Sequence, residues 1–173
     1  MHANGMNLMV DFVKEHDVAG KVVVDMGSYD VNGNYRSLFT GEYTGADITP
    51  GPNVDVLVDS PEWKELRNID VVISGQTLEH VADIPKFIND IFSILAPGGL
   101  LCLIAPSAGP AHSFPIWVGH FSAERMTEIV EADGFEIIEC KTTESFPFND
   151  TRCIARKPIL QAGPKQKKGK IIA

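Results

Sequence analysis

Lys21-Val22-Val23-Val24-Asp25-Met26-Gly27-Ser28 decides the fold of this 173-residue chain. An apolar run that ends in an acid and a glycine reads as a buried parallel strand opening into a turn. Strands covered on both faces are apolar throughout, so no in-out alternation is expected. Twenty residues after Gly27, the run Tyr43-Thr44-Gly45-Ala46-Asp47 closes on a second acid. In an α/β sheet that spacing builds a nucleoside pocket. The glycine lets ligand atoms approach the backbone, and the carboxylate one strand over accepts from a ribose diol.

Outward from this pair, three further apolar runs are predicted strands: Val54–Val58, Asp70–Ser74 and Leu100–Ala105. Met6, Met9, Phe12 and Val13 recur at helical spacing and predict an amphipathic helix over 5–17. Shorter helical segments are expected around Tyr35–Phe39 and Pro61–Leu66. A long one runs from Ile84 to Leu95, with an apolar stripe of Ile84, Phe87, Ile88, Ile91, Phe92 and Leu95 that Pro97-Gly98-Gly99 ends. Ser122 caps a further helix carrying Met126, Ile129 and Val130 inward. Phe135–Lys141 and Thr151–Arg156 are separated by only nine residues, too few for a helical crossover, so they form an antiparallel hairpin. The predicted class is α/β: a doubly wound, seven-stranded, mostly parallel sheet with an antiparallel terminal hairpin strand. Its ligand crevice falls at the carboxyl ends of the first, second and fourth strands, where the winding switches.

Composition narrows the partners. The net charge is −8, and Lys165, Lys167, Lys168 and Lys170 offset a body (1–160) of −12. So acidic a body repels phosphate backbones and argues against a nucleic-acid partner. No apolar stretch approaches the ~20 residues that span a bilayer, and no membrane partner is expected. The start, Met1-His2-Ala3-Asn4-Gly5, lacks the basic and apolar regions of a signal peptide, so a cytoplasmic location is expected. Cys102, Cys140 and Cys153 show no metal-ligand spacing and read as reduced; no metal is expected. Residues 1–160 are read as one domain and 161–173 as a basic, disordered tail.

Asp25-Met26-Gly27-Ser28-Tyr29-Asp30-Val31-Asn32-Gly33, then Asp47, then Ser74-Gly75-Gln76-Thr77-Leu78-Glu79-His80-Val81, then Leu95-Ala96-Pro97-Gly98-Gly99 resemble the class I S-adenosylmethionine-dependent methyltransferases, in their small UbiE-like or type 11 form. The resemblance runs from about residue 18 to 157 and implies a Rossmann-like methyltransferase fold closed by the terminal hairpin. One departure stands out: the alternating glycines of the family loop are replaced by Tyr29 and Val31, leaving Gly33 as the only later glycine.

The resemblance implies S-adenosyl-L-methionine as cofactor and assigns its contacts. Asp25, Gly27, Ser28 and Tyr29 face the methionine part, Asp47 the ribose, and Ile48 belongs to the same cofactor set. Asp59 and Ser60 follow the third strand, where the family reads adenine; either residue serves equally as a cap for the helix at Pro61. Gly75, Gln76 and Thr77 face the methionine moiety and the methyl, Thr77 alternatively capping a short turn. His80 and His120 are the candidate catalytic bases, since histidine titrates near neutrality. In many members of this family, however, the Glu79-His80 pair holds a loop instead.

Pro106–Phe121 carries His112, His120, two phenylalanines, Trp117 and three prolines at the mouth of the crevice, a composition suited to substrate recognition or to a self-packed lid. The expected activity is methyl transfer to a small-molecule acceptor, an oxygen in preference to a nitrogen, with a homodimer completing a shallow mouth. Two alternatives share the glycine and the acid: a non-catalytic S-adenosylmethionine-binding domain, and an NAD-dependent oxidoreductase. The absent Gly-x-Gly-x-x-Gly and the terminal hairpin count against the second.

Overall fold

Val23–Met26 (β1) is buried along its whole length and lies near the centre of a seven-stranded sheet in the computed structural model. The described residues are 3–111, 116–145 and 149–159. The other strands are Tyr43–Asp47 (β2), Val56–Leu57 (β3), Ile69–Gly75 (β4), Leu95–Ala108 (β5), Glu136–Thr143 (β6) and Asn149–Arg156 (β7). Their order is β3-β2-β1-β4-β5-β7-β6. The first five pair in parallel, while β7 runs antiparallel to both β5 and β6. The doubly wound sheet with a reversed terminal strand is therefore as expected from the sequence.

The helices are Ala3–Glu15 (α1), Pro61–Glu65 (α2), Ile84–Ile94 (α3) and Ala123–Ala132 (α4). Because strand side chains alternate between faces, the strands feed two cores. Val24, Val72, Leu101 and Leu103 pack with Ile88, Ile91 and Ile94 of α3 and Met126 and Val130 of α4. Val23, Val71, Ile73 and Ile104 pack on the other face with Leu8, Met9 and Phe12 of α1 and with Tyr35 and Phe39. Each such large apolar side chain contributes about 1.5–3 kcal/mol when fully buried. Arg152 is the exception inside the second face. It is 1% exposed, donates to Leu8 O, and pairs with Glu15 and Glu139, so it bolts α1 to the hairpin.

Several boundaries shift by one or two residues, α1 among them at Ala3–Glu15 instead of 5–17, and two shift for a visible reason. β3 shortens because residues 51–55 are consumed by a turn: Val54 N donates to Gly51 O and Asn53 has φ +65°. Asp55 turns back to accept from Gly45 N and Arg36. Pro97-Gly98-Gly99 is part of β5 instead of a separating loop. Register steps from Ile69↔Leu95 to Val71↔Leu100, and the Gly98 amide donates to Lys157 O. The expected tail, 161–173, and His112 lie outside the described residues. No helix among the described residues is long and apolar enough to cross a membrane.

Candidate active site

The carboxyl ends of β1, β2 and β4 meet around Gly27. With φ +81°, Gly27 occupies the left-handed region, and a Cβ there would fall 2.2 Å from Thr77 Cγ2. Only glycine fits. Thr77 makes no cap; its hydroxyl reaches Gly27 O at 3.3 Å and Gly75 O at 3.4 Å. Gly75 is equally constrained, since a Cβ there would lie 2.1 Å from the Tyr35 hydroxyl. Two glycines thus keep the backbone bare on both sides of a cleft lined by Asp25, Ser28, Tyr29, Tyr35 and Gln76.

Asp47 sits across from Gly27, half-buried, accepting from Tyr29 N at 3.2 Å and Thr49 N at 2.9 Å. Its carboxylate holds both loops at the rim. The Tyr29 ring lies over Gly51, and Ile48 beside Asp47 is 78% exposed. Ser28 is buried and donates to Asn53 O. Ser60 is engaged as the cap of α2, its side chain accepting from Trp63 N at 3.1 Å. Asp59, with φ +68°, is exposed and pairs with Lys86 at 3.4 Å.

Asp25 is buried under the cleft. Burial pushes its carboxyl up to about 7, against the pull of the Tyr43 hydroxyl that donates to it at 2.5 Å. The cleft measures about 90 Å³, well below the roughly 300 Å³ at which ligand pockets begin. Its outer wall is the Tyr29–Asn34 segment. A larger hollow of about 360 Å³ lies at the other end of the strands, among His16, Lys21, Asp70, Gly98 and Arg156. We place the chemistry at the smaller cleft, because open parallel sheets bind ligands at strand carboxyl ends.

Two residues that the sequence reading did not single out stand at the cleft and behind it. Asp150, at the start of β7, is fully buried and accepts from Gln76 Nε2 at 2.9 Å and from Asn4 Nδ2 at 2.8 Å. Tyr35 places its hydroxyl over Gly75. The Tyr35 hydroxyl, Gln76 Oε1 and both Glu79 carboxyl oxygens are buried without a hydrogen-bond partner.

His80 and His120 both serve the loop after β5. His80 Nδ1 donates to Ile116 O at 2.6 Å, and His120 Nε2 donates to Gly109 O at 3.0 Å. Trp117 stands between the two rings, edge-on to each. His80 Nε2 lies 3.8 Å from Glu79 Oε1.

The comparisons with known proteins agree with this geometry. A family model described as "Methyltransferase domain" matches residues 9–140, and the chain belongs to that family. Its class is the class I S-adenosylmethionine-dependent methyltransferases, with S-adenosylmethionine as cofactor. A probable S-adenosylmethionine-dependent methyltransferase of Mycolicibacterium smegmatis is 32% identical over 76 residues, covering 40% of this chain and 30% of that relative. The match thus spans under a third of the relative's length. Among solved structures, the Burkholderia thailandensis 1,6-didemethyltoxoflavin-N1-methyltransferase, with its substrate and S-adenosylhomocysteine bound, superposes with a TM-score of 0.71 at 18% identity, over 89% of this chain and 78% of that one. The [4+2]-cyclase SpnF superposes with a TM-score of 0.66 at 17% identity, over 88% and 81%. At such identities the likeness is one of fold.

The residues present fit the cofactor. Gly27 and Gly75 lack a Cβ where one would strike Thr77 and Tyr35, so the backbone at these strand ends stays bare, and the Asp47 carboxylate stands half-buried at the rim.

Proposed function

We propose that this chain transfers the methyl group of S-adenosylmethionine to a small-molecule acceptor. The observation that carries the reading is the left-handed Gly27 facing Asp47 across adjacent strand ends, in a chain of the methyltransferase family. Asp47 takes the ribose hydroxyls, because an ionised carboxylate accepts from both at once. Ile48, exposed beside it, covers one face of the adenine. Asp59 is the better partner for the adenine amine, since Ser60 is occupied by its cap. Gly27, Ser28 and Tyr29 on one side and Gly75, Gln76 and Thr77 on the other enclose the methionine part, with Asp25 beneath.

The bound cofactor supplies an electrophilic methyl on a sulfonium. The chain's own task is alignment and exclusion of water, which carry most of the rate for an in-line displacement. The Tyr29–Asn34 segment, as the outer wall of the cleft, would flank the bound cofactor. The hydrogen bonds of His80 and His120 to loop carbonyls support a positioning role for both. Proton transfer by His80 would have to use Nε2, the ring atom that faces Glu79.

The acidic body supports a small-molecule acceptor over a nucleic acid. The Burkholderia protein, a 1,6-didemethyltoxoflavin-N1-methyltransferase, supports the same choice. SpnF shows that this fold also hosts another reaction, so turnover must be measured. The test is incubation with methyl-labelled S-adenosylmethionine and a metabolite extract. Label entering a small-molecule fraction together with S-adenosylhomocysteine is expected. Cofactor binding without transfer would leave a binding domain, and no binding by folded protein would end the proposal.

A further inference from the structure

Behind the cleft, toward α1 and β7, the fold buries more carboxyl groups than it balances. Glu79 is 0% exposed, and neither of its oxygens has a hydrogen bond; His80 Nε2 lies 3.8 Å from Glu79 Oε1, beyond hydrogen-bond reach. Asp150, also 0% exposed, has only neutral partners: the amides of Gln76 and Asn4. Arg152, the buried guanidinium of the same strand, is already matched by Glu15 and Glu139. Tyr35, 2% exposed, holds its unpartnered hydroxyl against Gly75 and, together with Gln76 Nε2, beside Gly5.

The donor and acceptor inventory selects a ligand. Asp150 takes one hydrogen of the Gln76 amide nitrogen, and Gln76 Oε1 stands beside it as an unpartnered acceptor. Glu79 offers two more acceptors, and Tyr35 either donates or accepts. A buried carboxylate is tolerated when a cation pairs with it. A carboxylate or phosphate ligand would be repelled.

We infer that Glu79, Gln76, Tyr35 and Asp150 form the acceptor subsite, and that it takes a basic nitrogen, the amine or ammonium group of a small molecule. The inference rests on the transferase reading and replaces oxygen, the acceptor atom expected from the sequence. The site lies beside the methyl-transfer position, since Gln76 follows β4 next to Gly75, and the loop after β5 roofs it through Val118 N donating to Glu79 O.

The chemistry balances. An arriving ammonium gives one proton to the Glu79 carboxylate, which burial and the nearby Asp150 carboxyl raise to about 7. The freed nitrogen lone pair forms the new N–C bond while the C–S bond breaks, its electron pair going to sulfur. The products are an N-methylated ammonium and a neutral thioether, and Glu79 passes its proton to water.

The experiment uses full-length protein saturated with S-adenosylhomocysteine and ligand-observed saturation-transfer NMR. Matched probes are butylamine against butanol, and benzylamine against benzyl alcohol and benzoate. The amines are expected to bind at least tenfold more tightly than the alcohols, with no signal from benzoate. Glu79→Gln should abolish that preference and leave S-adenosylhomocysteine affinity within about twofold. Should Glu79→Gln fail to fold, Tyr35→Phe should cut amine binding several-fold. Equal binding of amines and alcohols overturns the inference, as does an amine preference untouched in the variants. A collapse of S-adenosylhomocysteine affinity in Glu79→Gln also overturns it, by assigning Glu79 to the cofactor. Wild-type protein that binds no S-adenosylhomocysteine at all would instead remove the transferase reading beneath it.

Discussion

Asp150 Oδ1 accepts from Gln76 Nε2 at 2.9 Å, joining the first residues of the last strand to the residue that follows β4. Gln76 has φ +58°, a left-handed conformation that a non-glycine residue keeps only when its surroundings over-determine it. The Asp150 bond and the Gln76 N–H donation to Ile104 O supply that constraint. A strained amide fixed from two sides is what a cleft needs to present one oxygen in one direction.

Asp47→Ala should weaken S-adenosylhomocysteine binding by about 1.5–3 kcal/mol, the range for a hydrogen bond to a charged group. Asp47 also ties down Tyr29 N and Thr49 N, so the rim should loosen too. Calorimetry checks this, and unchanged affinity would take Asp47 out of the site.

Gly27→Ala should lower stability by at least about 1–2 kcal/mol, the cost of a left-handed L-residue, with the Thr77 clash added. Relieving the clash with Thr77→Gly should restore only part of the loss, because the backbone strain stays. Chemical denaturation of the three variants measures both shares.

Stability should fall as pH rises from about 4 to 7. Asp25 moves from an ordinary 3.8 to about 7 on folding, and Glu79 from 4.5 to about 7. Between those limits the native state holds protons that the unfolded chain has released, so rising pH favours unfolding; above about 7 both states are ionised and the slope vanishes. Asp25→Asn keeps an acceptor for Tyr43 and should gain stability relative to wild type as pH increases, by up to a few kcal/mol. Urea midpoints at pH 5 and pH 8 decide it; parallel curves would contradict the assignment.

Cys140 should react before the other thiols. It is the partner of Cys153 across β6 and β7, and the hydrogen bond from Cys153 draws the Cys140 thiol down while that same bond, and then burial, push Cys153 up. Cys102 and Cys153 are buried. Peptide mapping after brief iodoacetamide treatment at neutral pH should find Cys140 labelled first.

Trp117→Ala combined with His120→Ala should alter acceptor use while leaving cofactor affinity nearly intact. Both side chains brace the loop after β5 and not the Gly27–Asp47 pair. A parallel loss of S-adenosylhomocysteine binding would move this loop into the cofactor pocket.

β1 and β4 were legible because burial on both faces writes itself as runs of Val and Ile, while β2, Tyr43-Thr44-Gly45-Ala46-Asp47, showed through its closing acid. Gly27 and Asp47 stood out by spacing alone. Pro97-Gly98-Gly99 was legible as a helix stop, yet nothing local reveals that β5 begins at Leu95; the bulge depends on pairing with β4 and with Lys157. Asp150 precedes the expected strand Thr151–Arg156 and carries no local signal of a site. Its role comes from the antiparallel placement of β7 and from contact with Asn4, 146 residues away. Tyr35 was seen only as part of a short helical segment, since its value lies in the closeness of Gly75.

The Asn4–Asp150 bond has a practical consequence for anyone handling the protein. Asn4 ties the first turn of α1 to a buried acid, so residues added ahead of Met1 join the chain three positions from that bond. Activity screens on tagged material risk scoring the tag, and a removable or carboxyl-terminal handle is the safer choice.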